Sequence, residues 1–371
     1  MIHTFQLVTP PLSFPRYRRI EDQVYEHAKR GTCKIVERQD NLLSFLLPHY
    51  LGLRICLISL TVPHATMIVN PALIMNGQYN DLCQLTPEFL HVCMESISYV
   101  LQEFKMGFTT EQMILSRIDC TVDIQFPQEN ALETFISCIQ RTNPPRNYHI
   151  ERFGKQHPNY KEMNRHSFRM SCNDVCLTIY DKAYQLVNES LMAADEVLPD
   201  RLRFEAAFHN PAFQRLFVKY GDGIFLDGSS GECGVETIII GFSNLSLRLL
   251  QDYFGQHMTP GQYLRGDFAL QRIDNGHFSA KIKHRMKILL AEVARCHKGG
   301  IKEALRNLEG DGFSQNELKY LLKCFEGINL NPATINGSTG YRAFPSIDEL
   351  LNNEDLFIKP LSSCGDTSRM P

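Results

Sequence analysis

Apolar and polar residues follow two periods along this chain, and the places where the period changes mark its elements. The first seventy or so residues read mostly as β: "KIVERQDNLLSFLLP", "LRICLISLTVP" and "ATMIVNPALIM" are apolar, β-branched runs broken by Pro, Gly and Asn. From Leu85 to Phe104 the spacing becomes helical, with Thr86-Pro87-Glu88 as a start signal. A strand is predicted at "SRIDCTVDIQF", then a helix in "PQENALETFISCIQRT" that is opened by Pro127 and acidic in its first turn. The stretch "CLTIYDKAYQL" predicts a buried strand that ends in Tyr180-Asp181-Lys182 and passes into a helix through "KAYQLVNESLMAADEVL". Asp181 stands where a helix cap belongs. A further strand is predicted at "RLRFEAAF", followed by a Gly-rich break from Gly221 to Gly234.

Beyond the break the pattern is helical. Ser279 to Arg295 predicts a basic amphipathic helix, and the following stretch predicts two short helices around a Gly-Asp-Gly turn, a small DNA-binding or packing module. The last thirty-odd residues are rich in Asn, Ser and Gly. The predicted organisation is therefore residues 1–235 as one domain, 236–335 as a mainly helical region and 336–371 as a polar, flexible tail.

Composition is that of a globular protein, 43% hydrophobic and 21% charged, and the net charge of −3 does not by itself exclude a polyanionic partner. Twelve cysteines are scattered without a disulfide framework, and the N-terminus lacks the apolar core of a signal peptide, so a reduced cytoplasmic protein is expected. Cys172 and Cys176 have no second Cys/His pair at zinc-finger spacing and read as free thiols. No apolar run approaches the ~20 residues that span a bilayer, so no membrane partner is expected.

Between positions 141 and 170, seven Arg/Lys stand against two Glu, interleaved with Tyr148, Phe153, Tyr160 and Phe168. Cations track phosphates and rings stack on bases, so Arg146, Tyr148, Arg152, Lys155 and Tyr160 are candidate DNA contacts; a solvated loop is the other reading.

Side chains alternate faces along a strand, so Arg117, Asp119, Thr121 and Asp123 share one face of "RIDCTVDI". By the same parity Arg201, Arg203 and Glu205 share a face, opposite Leu202, Phe204 and Ala206, while Thr178 and Tyr180 oppose Leu177 and Ile179. If the three strands are neighbours, Asp119, Glu205 and Tyr180 converge. Two carboxylates suit a hard cation, Mg2+ or Mn2+, which would polarise a phosphodiester, and a tyrosine aimed at that phosphorus would attack it. A phenol of pKa ~10 needs a nearby cation, and Lys182 or Arg203 would serve beside the metal. Cross-strand ion pairs on a solvated sheet face are the structural alternative.

The ordered set "LSRIDCTVDI", "LTIYDKAYQL" and "LRFEAAFHNP" resembles the rolling-circle replication initiators of filamentous phages and related plasmids, over residues 65 to 220 and more loosely beyond. The resemblance implies an α+β fold whose antiparallel sheet is flanked by helices, and a metal-dependent nicking endonuclease that joins a tyrosine to the 5′-phosphate and frees a 3′-hydroxyl. Tyr180 takes the place of the nucleophile in the Tyr-x-Lys motif, with Lys182 as its basic neighbour. Asp119 and Glu205 match the acids of the Arg-Ile-Asp and Arg-Phe-Glu strands; their role as metal ligands is a chemical inference. Asp123 and Asp181 rank second, and Tyr184 is a possible second tyrosine, with core packing as the alternative. The implied partners are origin, hairpin or single-stranded DNA, with a host helicase and polymerase. No His-x-His pair is present, which sets the chain apart from the nickases that use one, and His149, His157, His166 and His209 stand alone. A mobilisation relaxase and a non-catalytic DNA-binding protein are the competing readings.

Overall fold

The computed structural model describes residues 1–76, 82–145, 147–154, 159–188, 200–224, 234–297 and 299–359. The protein is α+β. Its first stretch runs β1 (Ile2–Val8), α1 (Phe14–Lys29), β2 (Lys34–Gln39), β3 (Leu42–Leu46), β4 (Leu53–Ile58), β5 (His64–Val69), α2 (Pro71–Asn76), α3 (Pro87–Glu103) and β6 (Ile114–Gln125). Next come α4 (Leu132–Ile139), β7 (His149–Glu151), α5 (Tyr160–Arg165), β8 (Ser167–Ser171), β9 (Val175–Asp181), α6 (Lys182–Asn188) and β10 (Arg201–His209). The remainder holds α7 (Asn210–Ile224), α8 (Val235–His257), β11 (Tyr263–Leu264), α9 (Gly266–Asn275), α10 (Ala280–Arg295), α11 (Gly300–Gly310), α12 (Gln315–Gly327), β12 (Ala343–Phe344) and α13 (Ile347–Leu351). No described helix is long and apolar enough to cross a membrane.

The chain forms two compact units, and the division differs from the cut expected near residue 235. Among the described residues, one comprises those of 1–122 and 206–248 with Lys359; the other comprises those of 123–205 and 249–358. Contiguous sequence is a poor guide here because β6 and β10 each run from one unit into the other.

In the first unit the strands lie in the order β2-β3-β4-β5-β1-β6, paired antiparallel. The α1 helix adds to the predicted elements, although its signals are present in the sequence. Pro15 sits in its first turn, and Tyr17, Ile20 and Val24 are buried at spacings of three and four. The α3 helix follows its prediction closely. The Thr86 hydroxyl accepts from the Phe89 N–H, and Leu90, Cys93, Met94, Ile97 and Leu101 form its buried stripe.

In the second unit the strand order is β10-β9-β8-β7. An aromatic cluster forms much of the core, with Phe135 edge-on to Tyr263 and Phe344 at 5.6 and 5.8 Å, and Phe204 edge-on to Phe254 at 5.2 Å. The expected flexible tail is ordered through residue 359. There β12 pairs with β11, Ser346 and Glu349 form a capping box on α13, and Ile347, Leu350 and Leu351 are buried. Apolar residues spaced among Asn and Ser bury enough surface to fix this segment; residues 360–371 lie outside the described part.

Candidate active site

β9 carries Tyr180 at its C-terminal end, opposite Ser167 of β8. The strand stops one residue later because Asp181 turns its carboxylate onto the next helix: its Oδ1 accepts from the Tyr184 N–H at 3.0 Å. That cap explains the abrupt junction in "CLTIYDKAYQL". It also fixes Lys182 as the first residue of α6, where the side chain is buried and its Nζ donates to Gln185 Oε1 at 2.8 Å.

Arg203 is the centre of this region in the second unit, and it is fully buried. Its guanidinium forks onto Asp123, Nε to Oδ1 at 2.5 Å and Nη2 to Oδ2 at 2.8 Å. Arg201 donates to Asp123 Oδ2 through Nε at 2.7 Å and also through Nη2. The polar face foreseen from strand parity is therefore not a solvated face. Asp123 is 0% exposed, and its carboxylate meets two guanidinium groups in a protein interior, where unpaired charge is strongly unfavourable. Burial pushes the Asp123 carboxyl up, but Arg203 and Arg201 outweigh it and hold its pKa below the ordinary value.

Arg203 Nη1 is buried with no hydrogen-bond partner among the described residues. Burial opposes the charge on Arg203, yet Tyr180, Asp123 and Glu205 together hold its pKa above the ordinary value, so it stays a cation. Tyr180 is half-buried, and the protein packed around its phenol raises its pKa, with Arg203 opposing and Glu205 and Asp123 reinforcing the rise. Tyrosine, arginine and glutamate thus influence one another directly, and the phenol is neutral at ordinary pH.

Asp119 belongs to the first unit. It is buried there, its Oδ1 accepting from Arg117 Nε at 2.7 Å and its Oδ2 from the Thr4 hydroxyl. Among the described residues no three or more His, Cys, Asp or Glu side chains are gathered as a metal cage. The carboxylates on hand suit a hard cation that takes one or two protein oxygens and fills its shell with water and phosphate. Glu205, only half-buried, fits that role.

The basic-aromatic segment is divided. Arg146 and Lys155 lie outside the described residues. Arg152 is exposed after β7, and Tyr160 is half-buried at the start of α5. Tyr148 departs from the expectation of a base-stacking ring. It is 9% exposed and packs on His257 with ring centroids 4.7 Å apart, because neighbouring apolar surface offers the ring more burial than solvent does. Arg169 pairs with Glu151 at 2.7 Å and Arg165 with Glu162 at 3.1 Å, so part of the positive charge is spent within the fold.

Tyr184 is not a core residue: it is half-buried and stacks flat on His166, centroids 3.8 Å apart, while His166 Nδ1 meets Asp181 Oδ2 at 3.2 Å. His166 is hydrogen-bonded as expected of a lone histidine. Cys172 and Cys176 are free thiols. Asp123 ranks second by sequence, and its double arginine fork is not foreseeable there; shared parity with Arg117 and Asp119 is visible, but the choice of partner depends on strand register.

No family model and no curated protein matches the chain. Among solved structures, a rolling circle replication initiator protein from Geobacillus stearothermophilus is similar at 7% identity, over 70% of this chain and 85% of that one, with a TM-score of 0.34.

Proposed function

We propose that the protein is a DNA-nicking replication initiator of the rolling-circle type, with Tyr180 as nucleophile. The observation that carries this reading is the buried, charged Arg203, locked by Asp123 and interacting with Tyr180 and Glu205, its Nη1 without a hydrogen-bond partner among the described residues. A buried donor with no protein partner is costly, and an anionic oxygen of a phosphodiester would satisfy it. Arg203 would hold the phosphate and stabilise charge on its non-bridging oxygens as attack proceeds.

The Tyr180 oxygen attacks phosphorus, its phenolic proton passing to solvent. The bond from phosphorus to the 3′ oxygen breaks, and that oxygen takes up a proton to leave a free 3′-hydroxyl. The 5′-phosphate stays on Tyr180, so the energy of the phosphodiester is kept for rejoining by the reverse attack. A divalent cation, Mg2+ or Mn2+, would when bound polarise the phosphate. Glu205 is the proposed ligand in the second unit, and Asp119 as another ligand rests on the sequence motif. Lys182 and Arg203 would lower the cost of forming the phenolate. Exposed Arg152 and half-buried Tyr160 remain proposed DNA contacts, as do Arg146 and Lys155. A cytoplasmic location, with a host helicase and polymerase acting after the nick, belongs to the same reading.

The test is covalent capture. Protein incubated with Mg2+ or Mn2+ and supercoiled plasmid carrying the DNA that flanks its gene should give nicked circles bearing a protease-sensitive adduct. Tyr180→Phe should abolish both, and wild-type nicking by Tyr180→Phe would overturn the proposal.

A further inference from the structure

The helical part of the second unit presents a surface that the chemistry at Tyr180 does not use. α11 and α12 both pack on α10. Between them the chain turns tightly. The Phe313 N–H bonds Leu308 O at 3.0 Å and the Gly312 N–H bonds Glu309 O at 3.2 Å, with Gly312 at φ +97°, a conformation that favours glycine. Two residues later the Ser314 hydroxyl caps α12 by accepting from the Glu317 N–H at 3.2 Å. A helix, a four-residue turn containing glycine and a second helix on a shared support form a helix-turn-helix arrangement.

The inner side of α12 is fixed by buried Leu318, Leu321, Cys324 and Phe325. Its outer stripe is Asn316, Lys319, Tyr320 and Lys323, all exposed, at the three- and four-residue spacing that places side chains on one helix face. Glu326 continues that side at three-residue spacing from Lys323 and is exposed, while two other nearby acids are engaged: Arg285 pairs with Glu317, and Gln315 donates to Glu309 at 2.7 Å. Residues 280–327 carry ten Lys/Arg against six Asp/Glu in a chain whose net charge is −3. The stripe is polar and cationic with one half-exposed aromatic, the wrong chemistry for an apolar protein interface and the right one for a polyanion.

We infer that the outer face of α12 docks in the major groove of duplex DNA, with Asn316 and Lys319 at base edges and Lys323 on the backbone. Asparagine pairs with the adenine edge and lysine with the guanine edge, while lysine at a phosphate adds affinity regardless of sequence. The inference rests on the nicking reading and deepens it: α12 selects a duplex segment and Tyr180 acts on a reachable strand.

The experiment uses the full chain, short duplexes from a randomised pool, the sequences enriched from that pool, and a single-stranded oligonucleotide from the gene's flanking DNA. Lys319→Gln with Lys323→Gln should weaken duplex binding and flatten the log-affinity against log-salt slope by about 0.9 for each phosphate that is no longer neutralised. Asn316→Ala should cost on the order of tenfold in discrimination at one adenine position of the enriched sequence. Adduct formation on the single strand should persist in these variants, and an unchanged melting temperature shows that they are folded. Folded lysine variants that bind duplex with wild-type affinity and slope overturn this inference while leaving the nicking reading intact. Lysine-dependent duplex binding by a wild-type protein that never forms the adduct overturns the nicking reading and supports the docking face.

Discussion

Arg203 and Asp123 are joined by two parallel hydrogen bonds in a site closed to solvent, Nε to Oδ1 at 2.5 Å and Nη2 to Oδ2 at 2.8 Å. The fork leaves Nη1 without a hydrogen-bond partner among the described residues. Two parallel charge-assisted hydrogen bonds hold the guanidinium in one orientation.

Removing the carboxylate charge should therefore be damaging. Asp123→Asn leaves the guanidinium groups of Arg201 and Arg203 buried without their counter-charge, and a loss of about 3–5 kcal/mol is expected from urea unfolding. A variant within about 0.5 kcal/mol of wild type, the range usual for surface changes, would show that the pair is not confined as described.

The same pair sets an acid limit. The folded Asp123 pKa is lowered, so its contribution to stability is present above the unfolded carboxylate value of about 3.9 and is lost as pH falls through the folded value. Melting temperature followed from pH 6 downward should show an acid limb that is reduced in Asp123→Asn. Identical limbs in both proteins would assign the acid sensitivity to other carboxylates.

Tyr180 works in the opposite direction. Its pKa is raised by burial, so the neutral phenol is favoured in the fold and the phenolate fraction grows with pH. Single-turnover nicking at fixed Mg2+ is expected to rise by up to about tenfold per pH unit between pH 6 and 9 where deprotonation limits the rate. A flat profile would mean that another step is slower than attack.

Tyr148→Ala should act mainly through stability. The ring is buried against His257, and its removal is expected to cost about 3 kcal/mol as the cavity is only partly refilled. If the variant unfolds at the wild-type urea midpoint but binds single-stranded DNA more weakly, the ring contacts DNA after all.

Asp181→Ala should cost about 1 kcal/mol by removing the cap on α6, measured by urea unfolding. Asp181→Asn should recover most of that loss, since the asparagine oxygen can accept the same N–H. A shared deficit in both variants would point to the His166 interaction instead.

Local pattern determined a good deal. The strand that ends at Asp181, the strand of Arg201 to Phe208 and the helices α3, α10, α11 and α12 follow from apolar period and capping residues, because each depends on neighbours within one or two turns. Parity predicts Asp123 on the same face as Asp119, and Arg203 with Glu205. Three-dimensional packing decided what those faces meet. Asp123 could have been a solvent-facing spare acid; register and burial made it the partner of two arginines. Tyr148 sits in a sequence rich in cations and reads as exposed, but packing against His257 buries it. Residues 336–359 look loose by composition, and the pairing of β12 with β11 orders them. Cross-strand register, burial and charge pairing join residues far apart along the chain, so no local window of sequence contains them.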